Sequence, residues 1–152
     1  LETKNPAQAP ELIAWRPVPQ TPTVDFSGLE NALETSIHPD IVEYFSSFWS
    51  STIEGKSIEG HASLIQLWNQ EDFDRLIENF IGHALAKRQL KEPLTLFIAT
   101  TEADSEYFLS IDNATGAVLL EEPGRPPLRQ VEDNLATFLR RLTPAASQPA
   151  VF

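Results

Sequence analysis

Asn69-Gln70-Glu71-Asp72-Phe73-Asp74-Arg75-Leu76-Ile77-Glu78-Asn79-Phe80-Ile81-Gly82-His83-Ala84-Leu85 carries the clearest pattern in the chain. Phe73, Leu76, Ile77, Phe80, Ile81, Ala84 and Leu85 recur at helical intervals as one continuous apolar stripe, which predicts a long amphipathic helix. Asn69 stands where a side-chain oxygen can cap its first amides. Glu71, Asp72 and Asp74 in the first turns, and Lys87, Arg88 and Lys91 near the end, match the helix dipole at both poles. After Pro93, residues 94–99 are apolar at every position but Thr95, as a central strand covered on both sides should be. Residues 107–111 and 117–120 read as strands either side of the turn Asp112-Asn113-Ala114-Thr115-Gly116, a hairpin. The class this predicts is α+β, with helices packed against a twisted, mainly antiparallel sheet.

Upstream of the long helix the signals are shorter. Residues 1–24 hold five of the twelve prolines, so they are expected to form an extended arm anchored by Trp15 and Val18. Asp25 or Ser27 can cap a first helix bearing Leu29, Ala32, Leu33 and Ile37. Pro39 opens a second, whose apolar face is Ile41, Tyr44, Phe45 and Phe48 with Trp49 beside it, and the cluster Ser46, Ser47, Ser50 and Ser51 marks its decay. Two short strands are expected around Gly55 and Gly60, the second carrying Leu64, Ile65 and Leu67 towards Trp68. Downstream, Gly124, Pro126 and Pro127 should break the sheet before a last helix with Leu135, Phe138, Leu139 and Leu142 on one face. The expected organisation is an arm over 1–24, one domain over 25–144 and a fraying tail over 145–152.

At 152 residues the chain suits a single core, and its nine Phe, three Trp and two Tyr can fill it. It has no Cys, hence no disulfide framework and no thiolate metal site. No run reaches the roughly 20 apolar residues of a membrane span, and the first ten residues lack the order of a signal peptide. Because the chain opens on Leu1 and not on Met, part of a natural N-terminus is expected to precede it.

The net charge of −11 falls in blocks. Residues 25–78 carry eleven acids and two bases, and residues 102–122 carry six acids and no base. Such a surface repels nucleic acid phosphates and anionic lipid headgroups and suits a cationic partner. Acidity also serves plain solubility, so the charge alone does not separate the two.

Catalytic signatures fail on spacing. Gly55 and Gly60 have the interval of a phosphate loop, but His61-Ala62 stands where Lys and Ser or Thr must follow. There is no nucleophile elbow and no dinucleotide fingerprint. His38, His61 and His83 form no pair at ligand spacing, so no metal and no cofactor is expected; a hydrogen-bonded, partly buried imidazole is the blander reading of His83. Glu71, Asp72, Asp74 and Glu78 form a carboxylate cluster, but Arg75 lies between Glu71 and Glu78 and can pair with both. The segment Glu102-Ala103-Asp104-Ser105-Glu106 has three acids and no base near it in sequence, a repulsion that a cationic ligand would relieve. Glu121 and Glu122 are expected to extend that face. Asn113-Ala114-Thr115 matches a glycosylation sequon but reads as turn chemistry.

Residues 64–75, Leu-Ile-Gln-Leu-Trp-Asn-Gln-Glu-Asp-Phe-Asp-Arg, followed by Glu78-Asn79-Phe80-Ile81-Gly82-His83, resemble the motif of the Syd family of SecY-interacting bacterial proteins. Residues 91–100 resemble that family's central strand, residues 134–139 its final helix, and Trp15-Arg16-Pro17-Val18-Pro19 its proline-flanked tryptophan. The family's leading helix has no counterpart here. The resemblance implies a fold similar to the SUKH group of toxin-immunity and cell-wall regulatory proteins. It also implies a non-enzymatic protein, peripheral on the cytoplasmic side of the bacterial inner membrane, that binds the channel subunit SecY and regulates or quality-checks the translocase. In the family the docking surface is an acidic concavity, for which Glu71, Asp72, Asp74, Glu78, Glu102, Asp104, Glu106, Glu121 and Glu122 are the candidates here. Basic cytoplasmic loops are the natural targets of such a surface. Membrane association is then expected only through the protein partner, and the protein itself as a monomer. The alternative is an immunity protein of the SUKH type that neutralises a cationic toxin.

Overall fold

The computed structural model describes residues 17–102 and 104–145. Trp15, Ala103 and the tail beyond 145 lie outside the described residues. The elements are β1 (Val18–Pro19), α1 (Ser27–Leu33), α2 (Pro39–Ser46), β2 (Phe48–Trp49), β3 (Ile53–Ser57), β4 (Gly60–Leu64), α3 (Gln70–Gln89), β5 (Thr95–Thr100), β6 (Phe108–Asp112), β7 (Val118–Glu121), β8 (Arg129–Glu132), α4 (Leu135–Arg140) and β9 (Thr143–Pro144). Seven strands form one antiparallel sheet in the order β8-β7-β6-β5-β4-β3-β9, and β1 pairs with β2 in a separate ribbon. The α+β class read from the sequence is the one found.

β5 is the middle strand of the seven. Leu96, Ile98 and Ala99 are completely buried in it, as the apolar run over 94–99 predicts. α3 packs on β5, and its Phe80 ring lies 4.6 Å from that of Phe97. Burial of a side chain such as Phe80 stabilises by roughly 1.5–3 kcal/mol. α3 starts where Asn69 predicts: its Oδ1 accepts the Asp72 amide at 2.9 Å, while Asp72 Oδ2 accepts the Trp68 amide at 2.9 Å, so both sides of the boundary are fixed. Its buried stripe is Phe73, Leu76, Phe80, Ala84 and Lys87, whereas Leu85 is half exposed.

Several expectations are corrected. α2 ends at Ser46, and Phe48 and Trp49 turn into β2; Gln20 bridges the two elements, its Nε2 donating to Phe45 O in the last turn of α2 at 2.9 Å and to Phe48 O in β2 at 3.3 Å. Gln20 is the buried anchor of this part of the arm and Val18 is exposed. α1 stops at Leu33, leaving Ile37 buried beyond it, and β4 stops at Leu64 before Ile65 and Leu67. The sheet does not end at Gly124, Pro126 and Pro127, since β8 follows and pairs with β7. Leu142 lies past the end of α4, and Thr143 and Pro144 pair with β3 as β9. The residues of the glycosylation-like turn are structural: Asn113 Oδ1 accepts the His38 amide at 2.8 Å and its Nδ2 donates to Ser36 O at 2.9 Å.

Candidate functional site

The loop between β5 and β6 carries Glu102, Asp104 and Glu106, all exposed. It is held at both ends. Glu102 Oε1 accepts the His61 amide at 3.0 Å, tying the loop to the β3–β4 turn, and the Ser105 amide donates to Glu102 O at 3.0 Å. Ser105 Oγ accepts the Tyr107 amide at 3.0 Å, and Thr101 Oγ1 donates to Tyr107 O at 2.9 Å. Among the described residues no Lys, Arg or His forms an ion pair with any of the three carboxylates. A pocket of 240 Å³ opens beside the loop, lined by Glu102 and Tyr107 and by the apolar side chains of Leu109, Leu120, Val131 and Phe138. Arg129 also lines it, so the acidic excess belongs to the loop and not to the whole pocket. Glu59, on the same pocket, is committed elsewhere: Arg141 binds it through two nitrogens at 2.7 and 3.1 Å, which holds its carboxyl down at about 2.

The carboxylates of α3 are less free than the loop's. Arg75 pairs with Asp72, one turn back, and not with Glu71 and Glu78 as their spacing suggested. Asp74 accepts from Gln70 Nε2 at 3.1 Å. Glu71 and Glu78 are exposed, with no ion-pair partner among the described residues. No hydrogen bond or ion pair among those residues joins the α3 carboxylates to the loop. Glu122 is paired with Arg125 at 3.2 Å.

Glu121 leaves the candidate surface altogether, because it is completely buried. Glu121, the last residue of β7, faces the α3 side of the sheet, where Lys87 meets it. Thr95 Oγ1 donates to Glu121 Oε2 at 2.6 Å and Ser110 Oγ donates to the same oxygen. Burial opposes this charge, but the bonds from Lys87, Ser110 and Thr95 outweigh it and hold the carboxyl below its ordinary range. Lys87 lies in the last turn of α3, at the C-terminal pole where it was expected, and is also a buried ion-pair partner. His83 Nε2 lies 2.9 Å from Thr95 Oγ1, with the ring edge-on to Phe97 and Phe108. Burial lowers the His83 pKa, more than the neighbouring Glu121 charge raises it. Sequence reasoning missed this cluster as a unit, although Lys87 continues the 3–4 spacing of the buried stripe.

Among the described residues no group of three or more His, Asp or Glu side chains is placed to hold a metal ion, and no helix is long and apolar enough to cross a membrane. His38 and His61 are occupied structurally: His38 Nδ1 accepts the Asp40 amide at 3.0 Å as the cap of α2, and His61 Nε2 lies 2.6 Å from Glu54.

The chain is similar to known proteins over most of its length. The family described as Syd protein (SUKH-2) matches residues 2–144. The chain is 44% identical over 135 residues to Protein Syd of Pseudoalteromonas atlantica, an alignment covering 89% of this chain and 72% of the relative. It is 43% identical over 130 residues to Protein Syd of Hahella chejuensis, covering 86% and 67%, and 37% identical over 134 residues to that of Alteromonas mediterranea, covering 88% and 74%.

Proposed function

The chain belongs to the Syd family, and from that premise we propose that it is a non-enzymatic protein that docks on the basic cytoplasmic loops of the translocase channel subunit SecY and regulates or quality-checks the translocase. The supporting observation is the loop over 102–106, whose three exposed carboxylates have no ion-pair partner among the described residues. Such carboxylates attract Lys and Arg without first having to give up an ion-pair partner. The neighbouring pocket of 240 Å³ adds a reason for preferring polypeptide to a simple cation. A Lys or Arg side chain can lay its aliphatic stem along apolar walls while its charged end meets Glu102. Glu71 and Glu78 on α3, exposed and without an ion-pair partner among the described residues, are further candidates, whereas Glu121 takes no part.

Cytoplasmic loops of inner-membrane proteins are enriched in Lys and Arg, which supplies the complementary field. An anionic bilayer would repel a chain of net charge −11, so residence at the membrane depends on the protein partner. The test is a pull-down of SecY from solubilised membranes with the parent and with Glu102→Lys/Asp104→Lys/Glu106→Lys. Loss of SecY with an unchanged circular dichroism spectrum is the expected result. Undiminished recovery by the folded variant at physiological salt removes the loop as the docking site.

A further inference from the structure

A second cavity, of 400 Å³, lies between the C-terminal half of α3 and the sheet, and the docking reading makes no use of it. It falls within the roughly 300–1,000 Å³ typical of small-molecule sites. Ile65, Ala86, Leu90, Phe97, Phe108 and Pro123 give it apolar walls, and Leu90 stands half exposed on it. Its polar members are His83, Thr100, the Lys87–Glu121 pair, and the Glu122–Arg125 pair.

Two properties of these polar groups define what would fit. The first is charge. Each lining cation is matched by a lining carboxylate, Lys87 by Glu121 and Arg125 by Glu122. An ionic guest would bring an unmatched charge against largely apolar walls. The second is hydrogen-bonding capacity. An ionised Glu121 can only accept, so the single hydroxyl proton of Thr95 points to Glu121 Oε2 at 2.6 Å. Towards His83, Thr95 Oγ1 can therefore only accept, and the 2.9 Å contact puts the imidazole proton on Nε2. Nδ1 is left as a bare acceptor with no partner among the described residues. Lys87 has three N–H donors, and Glu121 is its one partner among those residues. Its side chain is 5% exposed, so bulk water reaches the remaining donors poorly.

We propose that this cavity is a binding site for a small uncharged molecule with an apolar body and a polar head that accepts from Lys87 and donates to His83, the class of an aromatic or aliphatic primary amide or alcohol. The site is separate from the acidic loop and does not depend on the docking reading.

Benzamide is the probe, with benzoate and benzamidine as the charged controls of the same shape. Titrated into the ¹⁵N-labelled full chain, benzamide moves the amide resonances of residues 83, 86, 87 and 108 in a saturable way, and the two ions leave them in place. Ala86→Trp, at an exposed helix position, fills the cavity and weakens benzamide by about tenfold or more. The charge-reversed loop variant binds benzamide as the parent does. Tighter binding of benzoate or benzamidine overturns the uncharged class. Absence of saturable shifts with benzamide, or shifts that persist in a folded Ala86→Trp variant, overturns the site.

Discussion

His83 and Glu121 owe their character to neighbours far away in sequence. The pairing of Lys87 with Glu121 spans 34 residues, and neither residue type signals it. What the sequence does contain is position: Lys87 falls on the buried stripe of α3, while Glu121 closes β7 and Glu122 lies just past it. Two adjacent glutamates that look alike in a charge count therefore have opposite fates, one paired in the interior and one at the surface. The partly buried, hydrogen-bonded state of His83 was legible from its place at the edge of the apolar stripe. Its partner Thr95 was not, because contact between α3 and β5 depends on the fold. A pH prediction follows from its environment. Burial holds the folded pKa of His83 below the ordinary value of 6.5, so between the two values the unfolded chain binds the extra proton. The neutral His83 stabilises fully above about pH 6.5, and that contribution shrinks as pH falls below it. Glu121 and Lys87 are the charged groups facing the ring, and they modulate the shift in opposite directions. Urea unfolding at pH 7.5 and 5.5 is expected to show the parent losing stability on acidification. His83→Gln, which keeps a donor for Thr95 without titrating, should flatten that slope. An equal slope in both proteins assigns the acid sensitivity to other groups.

Elements with strong periodicity and local caps were readable, and those held by distant partners were not. α3 and β5 fall where apolar spacing puts them, and the turn after β6 has Gly116 at φ +83° as a hairpin turn requires. β8 was invisible because Arg129, Gln130, Val131 and Glu132 show almost no apolar alternation, as suits an edge strand. The passage of Phe48 and Trp49 into a strand was equally hidden, since Gln20, which binds both Phe45 O and Phe48 O, lies 25 residues before Phe45. The hairpin turn is where two elements meet most tightly. A Cβ on Gly116 would come within 2.7 Å of His38 Nε2. His38 cannot withdraw freely, because its Nδ1 caps α2 and its amide is held by Asn113. Gly116→Ala thus combines an unfavourable φ with overlap against a fixed ring, and is expected to cost about 2 kcal/mol or more. Gly124→Ala is the control, with φ +77° but nothing within 4 Å of the added carbon, and should cost only about 1 kcal/mol. Equal urea midpoints for the two variants would mean that the His38 contact carries no weight.

For the whole molecule, the distribution of charge decides what can approach. The blocks over 25–78 and 102–122 were plain in the sequence, but which acids remain available was not. Folding assigns Asp72, Glu122, Glu59 and Glu132 to Arg75, Arg125 and Arg141, and draws Glu121 inside. The loop over 102–106 emerges as the densest unpaired remainder among the described residues, while the cavity beside α3 is charge-balanced. These two regions should respond differently to ionic strength. An exposed cluster acts through a field that reaches about 10 Å at 0.1 M salt and about 3 Å at 1 M. Binding of a Lys- and Arg-rich peptide should therefore weaken steeply between about 0.05 and 0.5 M salt. Charge reversal of Glu102, Asp104 and Glu106 should remove most of that dependence along with most of the affinity. An uncharged probe such as benzamide has no net field to lose, so its affinity should stay level over the same range. Titration calorimetry of both ligands at three salt concentrations separates the cases. Peptide affinity that ignored salt would leave the acidic loop without a role in attraction, and a parallel fall for benzamide would point to a salt effect on the fold.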